Sequence, residues 1–205
     1  MRTRFRILML ISIVASAASC GDASRSSRGP MQLVIQSLTV TSSGGVHANT
    51  FSTVLDSAIT TRITTPDPCT TTSPCNVVFD DLGKLTLSLE NKNPSITPSG
   101  LNTVTTDRVH VKYVRADGHN TQGVDVPFEF DVPVTVTVPL NGTADAGFEI
   151  VRHDAKRESP LIQLLNSSEV ITTFAQVTVY GHDQAGNIVS ATGQIQINFG
   201  DFLNA

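Results

Sequence analysis

Apolar side chains recur at every second position over much of this chain, the period of strands with one face buried. Residues 31–41 (MQLVIQSLTVT) place Leu33 and Ile35 on one face, then slip so that Leu38 and Val40 continue it. A β-bulge near Gln36 accounts for the slip. Ser-Ser-Gly-Gly at 42–45 ends this first strand. Residues 51–63 (FSTVLDSAITTRI) alternate imperfectly and read as a single second strand, whereas residues 84–89 align Leu85, Leu87 and Leu89 cleanly. Residues 104–116 alternate Val109, Val111 and Tyr113 with Arg108, His110 and Lys112, then stop at Asp117-Gly118, a turn pair. Residues 133–138 (PVTVTV) lead to Asn141-Gly142, whose tolerance of positive φ predicts a tight turn and a hairpin with residues 146–151. Residues 154–165 (DAKRESPLIQLL) have the one helical composition. Pro160 restricts them to a short helix starting there, with Leu161, Leu164 and Leu165 inward, or to an irregular loop. Finally, Val177 and Val179, then Ile195, Ile197 and Phe199, alternate on either side of HDQAGN and predict a β-hairpin.

Short strands at regular spacing, with no alternation of strand and helix, predict an all-β fold: an antiparallel two-sheet β-sandwich with at most one short helix. Within the last hairpin, Asp183-Gln184-Ala185-Gly186-Asn187 resembles the D-x-x-G-N loop that joins the last two strands of bacterial immunoglobulin-like and fibronectin-type domains. The resemblance covers that hairpin alone. It implies an immunoglobulin-like sandwich and leaves function open, because sandwiches host many unrelated activities. Asp183 and Asn187 then belong to a loop at a sandwich end, where a partner can be met. Phe128 and Phe130, in the long connection 118–131 (GHNTQGVDVPFEFD), are spaced to share one face. Exposed, that face is a patch for a partner; turned inward, it plugs the core.

Ahead of the first strand lies a run of another kind. Three arginines in the first six residues precede an unbroken apolar and small-residue stretch from Ile7 to Ala18, the layout of a secretory signal. As a helix that stretch would cover roughly 18 Å, too short for a bilayer core of roughly 30 Å. Ala17-Ala18-Ser19-Cys20 resembles the lipobox of bacterial lipoproteins, with alanine at 17 where leucine is usual. The resemblance implies cleavage before Cys20 and a diacylglycerol on its thiol, with acyl chains enough for stable anchoring. An ordinary signal cut at the same small residues would instead leave Cys20 as an unpaired thiol. The expected division is a signal peptide at 1–19, lipidated Cys20 and a polar tether to residue 30, and one sandwich domain over 31–205. The expected location is the cell envelope, the outer membrane facing periplasm or exterior, with the membrane and an envelope protein as partners.

Charge and cysteine use narrow the function. Loss of three signal arginines leaves 11 Lys+Arg against 18 Asp+Glu, a formal −7, which argues against nucleic acid as a partner. With Cys20 lipidated, Cys69 and Cys75 (PDPCTTTSPCN) remain, and an oxidising compartment makes a disulfide their expected state. Closing so small a loop restrains the unfolded chain by roughly 2 kcal/mol. A redox pair needs C-x-x-C spacing and zinc needs further ligands, so both are weaker readings. The threonine-rich surroundings of the pair read as a mobile or glycosylated loop. Asp80-Asp81 with Asp67, Asp183 with Asn187, and Asp125 with Asp131 could offer oxygens to calcium, yet none matches a calcium-loop pattern. His47, His110, His119, His153 and His182 are scattered, without a nucleophile elbow nearby. No cofactor is expected. The function expected is a non-catalytic binding or structural module. An envelope hydrolase is the alternative, and it requires two carboxylates among Asp80, Asp81, Asp125, Glu129 and Asp131 to converge in a pocket.

Overall fold

Each long strand can bury only alternate side chains, so two sheets must face one another. The computed structural model describes residues 29–44 and 50–202. The signal, Cys20 and His47 therefore lie outside the described residues. The strands are β1 (Met31–Ser42), β2 (Val54–Ala58), β3 (Thr61–Ile63), β4 (Cys75–Val77), β5 (Asp81–Asn91), β6 (Val104–Val114), β7 (Phe130–Pro133), β8 (Thr137–Val138), β9 (Thr143–Val151), β10 (Val170–Asp183) and β11 (Ile188–Gly200). One helical turn, α1 (His153–Lys156), precedes a 3₁₀ turn at Leu161–Leu164, and a second 3₁₀ turn spans Gly100–Asn102.

β1, β5 and β9 form one sheet in that order. β2, β11, β10, β6 and β7 form the other, with β8 also on β6, and β3 and β4 make a separate ribbon. All neighbours are antiparallel except β2, which runs parallel to β11. This is the strand order of an immunoglobulin-like sandwich, in which the chain crosses between sheets instead of closing one hairpin after another. Leu85 and Leu87 meet Val109, Val111, Val177, Val179, Ile195 and Ile197 across the interior. Tyr113 and Phe199 pack edge to face with centroids 5.7 Å apart, and the phenol donates to the Ile150 carbonyl across the sandwich at 2.5 Å. Burial, reinforced by the charge of Asp81, raises the phenol's pKa far above its usual range.

Several expectations hold in detail. The β1–β5 register shifts between Ile35 and Ser37, which makes Gln36 the bulged residue, and its amide donates to Ser88 Oγ at 2.7 Å. Leu33 and Val40 are buried, with Ile35 and Leu38 partly buried against the core. Leu161 and Leu164 point inward from a 3₁₀ turn that begins after Pro160, while Leu165 is half-buried. On β5, Gly83 faces the Phe148 ring, and a Cβ there would stand 2.5 Å from Phe148 Cζ. The ring fills the space the glycine leaves.

Three expectations are corrected. Residues 51–63 are two strands: β2 joins the larger sheet and β3 leaves it for β4. The break falls at Ile59, which is fully buried and donates its N–H to the Gly200 carbonyl. Residues 133–138 do not form a hairpin with 146–151. β7 and β8 both stay on β6, and β9 crosses to β5. The buried Thr106 side chain separates β7 from β8 by donating to the Val134 carbonyl at 2.7 Å and accepting the Val136 N–H at 2.9 Å. Asn141-Gly142 still turns, with Gly142 at φ 108°, but the turn carries the chain between sheets. Third, the domain begins before residue 31, within the span expected to be tether. Gly29 is buried, and the Pro30 carbonyl accepts the Lys92 N–H at 2.8 Å.

One polar cluster sits inside this apolar frame. Asp81 at the start of β5 and Lys156 at the end of α1 form an ion pair at 2.8 Å, with side chains 0% and 2% exposed. Ser57 of β2 donates to the same Asp81 Oδ2 at 2.6 Å. The cluster ties both sheets to the turn after β9. Lys156→Met, which leaves Asp81 buried without its partner, is expected to cost about 3–5 kcal/mol, read as a lower midpoint in urea unfolding.

Candidate functional site

Between β6 and β7, residues 115–129 connect adjacent strands by a long excursion, and side-chain to backbone hydrogen bonds give that excursion a defined shape. Asn120 Oδ1 accepts the Arg115 N–H at 2.6 Å. The Arg115 guanidinium grips Asp117 in a fork, Nε to Oδ1 at 3.1 Å and Nη2 to Oδ2 at 2.5 Å, and the His119 N–H also reaches Oδ1 at 3.1 Å. Arg115 first, and His119 after it, hold the Asp117 carboxyl down at about 2. Further on, Asp125 Oδ2 accepts the Thr121 N–H at 2.9 Å, and the Thr121 carbonyl in turn accepts the N–H groups of Asp125 and Val126. The hydrogen bonds that the Thr121 N–H and side chain give to its carboxylate lower the pKa of Asp125.

Val126 and Pro127 anchor the loop by burial. Two apolar side chains then stand out in solvent, Val124 at 64% and Phe128 at 48% exposure. The Phe128 ring lies over Gly123, where a Cβ would come within 2.6 Å of its Cζ. Gly123 also has φ 75°, a conformation side chains disfavour, so glycine is required there twice over. The sequence reading missed this bracing. Its legible signals were the Asp117-Gly118 turn and an aspartate four residues after Thr121.

Phe128 and Phe130 do not share one patch. Phe130 starts β7, packs half-buried on the core and carries the Arg152 guanidinium 4.5 Å above its ring. Asp183 and Asn187 are placed differently again. The Asp183 side chain is buried, with Oδ1 accepting the N–H groups of Ala185 and Asn187 at 3.0 and 2.8 Å and Oδ2 accepting the Asn187 amide at 2.7 Å. It shapes its own turn, and a partner could not reach it. Asp183 pairs with Val104 and Phe130 with Val111, seven residues along β6, so the two loops sit about 23 Å apart at opposite ends of the sandwich.

The carboxylates proposed for hydrolysis are dispersed as well. Asp80 accepts the His153 N–H at 2.6 Å and meets its Nδ1 at 2.8 Å. Partial burial opposes ionisation there, and the His153 contacts outweigh it, so the pKa is lowered. Asp81 is committed to the interior, and Asp125 braces its loop. Only Glu129 and Asp131 come together, on either side of His110, with Glu129 at 3.7 Å from Nε2 and Asp131 at 3.0 Å from Nδ1. Asp131 also receives Arg108 Nη1 at 2.7 Å, and this cluster stands half-exposed on the outer face of its sheet. His119 and His182 each face one aspartate, Asp117 and Asp107. Cys69 and Cys75 are joined in a disulfide with Cα atoms 5.3 Å apart, and Cys75 opens β4 opposite Ile63. Among the described residues no cluster of three or more His, Cys, Asp or Glu could hold a metal ion.

A shallow groove of about 390 Å³ on the outer face of β5 and β9 is floored by Gly147 and edged by Leu82, Phe51, Asp145 and Glu149. Asp145 is engaged by Lys84 at 2.7 Å. It stands four residues from Glu149 on the same strand, about 13 Å by strand rise, beyond the roughly 5–9.5 Å that paired hydrolytic carboxylates use.

Two outcomes follow for the 115–129 loop. Gly123→Ala is expected to cost about 1–3 kcal/mol and to displace the Phe128 ring, seen as lost contacts between Phe128 and residue 123 in the NMR spectrum. Because the folded pKa of Asp117 lies below its ordinary 3.8, its bracing of the loop is complete above that value and fades as pH falls toward about 2. A carboxyl NMR titration should therefore find Asp117 still ionised at pH 3. Compared with known protein families, with characterised proteins and with solved structures, the chain matches none of them.

Proposed function

We propose that this protein is a non-catalytic interaction module, held at an envelope membrane by a lipid on Cys20 and meeting an envelope protein through the β6–β7 loop. The observation that carries the reading is the exposed Phe128 ring on a loop braced by its own hydrogen bonds. An aromatic side chain loses little conformational freedom on binding, and a loop already in shape adds little ordering cost. Loops at the ends of an immunoglobulin-like sandwich are its usual contact surfaces. The anchor rests on the lipobox-like Ala17–Cys20 after an apolar run. The tether would leave the domain near the Asp183 turn, since Gly29 packs against Asp183 and Asn187. Phe128 would then face away from the membrane, at the far end of the sandwich.

The reading is tested by crosslinking the full chain in intact envelopes and identifying captured proteins by mass spectrometry, beside Cys20→Ser and Phe128→Ser. One dominant protein is expected, lost with Phe128→Ser and reduced when the anchor is removed. Capture of abundant neighbours alone, equal in all three forms, would overturn it.

A further inference from the structure

A lysine amine and an aspartate carboxyl inside an apolar core are reactants for an amide bond as well as partners in an ion pair. Lys156 Nζ lies 2.8 Å from Asp81 Oδ2, and both side chains are shut away from solvent. The carboxyl carbon is one bond from Oδ2, which puts it within about 4 Å of the amine, close to the roughly 3–3.5 Å of a near-attack pair. Three separate elements hold the arrangement: β5 carries Asp81, α1 carries Lys156, and β2 supplies the Ser57 hydroxyl, which donates to Oδ2 at 2.6 Å. Among the described residues, Asp81 Oδ1 has no hydrogen-bond partner. The two oxygens are thus distinguished, one receiving donors and the other left bare.

We propose that Lys156 and Asp81 join in an intramolecular isopeptide bond once the chain has folded. One proton passes from the ammonium to Oδ2 along their contact. The amine lone pair attacks the carboxyl carbon and forms the C–N bond. Oδ2, hydrogen-bonded by Ser57, takes a second proton from the nitrogen and leaves as water when its C–O bond breaks, and Oδ1 remains as the amide oxygen. The ammonium contributes both protons of the water and the amide keeps the third, so no oxidant or co-reactant is needed. The product replaces two buried charges, each costly to remove from water, with a neutral group. Exclusion of bulk water from the site disfavours the reverse hydrolysis. The bond would tie the start of β5 to the turn after β9, clamping the smaller sheet independently of the Cys69–Cys75 bridge and of any partner.

The test is a peptide map of the full chain, purified folded, then reduced, denatured and digested with trypsin. An isopeptide bond blocks cleavage at Lys156, so residues 63–84 and 153–157 should appear as one branched species lighter by one water than the two peptides together. Lys156→Arg should release them separately, and because the peptides are read after denaturation this control does not require a stable fold. Wild-type chain that yields 63–84 and 153–156 as separate peptides of full mass, with Lys156 cut, would overturn the proposal.

Discussion

The sandwich depends on one polar contact placed where an all-apolar core would be simpler. Asp81 and Lys156, with Ser57 beside them, connect the central strand of the smaller sheet, the parallel edge strand of the larger sheet and the helical turn after β9. A buried pair of this kind contributes little net stability compared with apolar replacements, yet it tolerates only one arrangement of the elements that carry it. The Lys156 side chain reaches the interior only if the chain turns into α1 directly after β9. Asp81 can meet it only if β5 begins beside that turn, and its register with β9 shifts between Asp81 and Leu82 at that point. Tyr113 adds a second cross-sheet bond nearby, to the Ile150 carbonyl. Together these contacts set which strand ends face each other, and the apolar side chains fill the volume between them.

Fixing that end of the sandwich has consequences at the surface. β6 and β10 run its length, so the loops that leave them are carried to opposite poles. The Asp183 turn backs onto Gly29, at the point where the chain enters the domain. The β6–β7 loop extends from the other pole. Its residues spend their polar groups on one another, through Arg115 with Asp117 and Thr121 with Asp125, and leave Val124 and Phe128 in solvent. A protein with little aromatic content and a net negative charge thus presents Val124 and Phe128 where shape is already set, an arrangement suited to recognition by contact more than by charge.

Periodicity made the strands legible because a residue's side of the sheet is decided locally. Leu85, Leu87, Val109, Val111, Val177, Val179, Ile195 and Ile197 were all readable as inward-facing, and the bulge at Gln36 showed as a slip of one position. Pairing was less legible. Residues 133–138 and 146–151 have the pattern of a hairpin around Asn141-Gly142, and nothing local distinguishes that from a turn that crosses between sheets. Thr106, far along the chain, makes the difference by inserting its hydroxyl between β7 and β8. The same limit applied to the candidate site. Asp183 and Asn187 looked available because polar turn residues usually are, but the Asp183 carboxylate is taken up by the Ala185 and Asn187 N–H groups and by the Asn187 side-chain amide.

By itself the sequence determined the all-β class, the inward faces of the long strands and the expectation of export and lipid attachment, because each rests on neighbouring residues or on a short local motif. The tertiary structure alone decided that Asp81 meets Lys156 across 75 positions of chain, that Phe128 is exposed while Phe130 is covered, and that the two candidate loops lie at opposite ends. Those outcomes depend on which strands become neighbours. Strand pairing is settled by the packing of the whole core, and a pattern of period two carries no record of the partner.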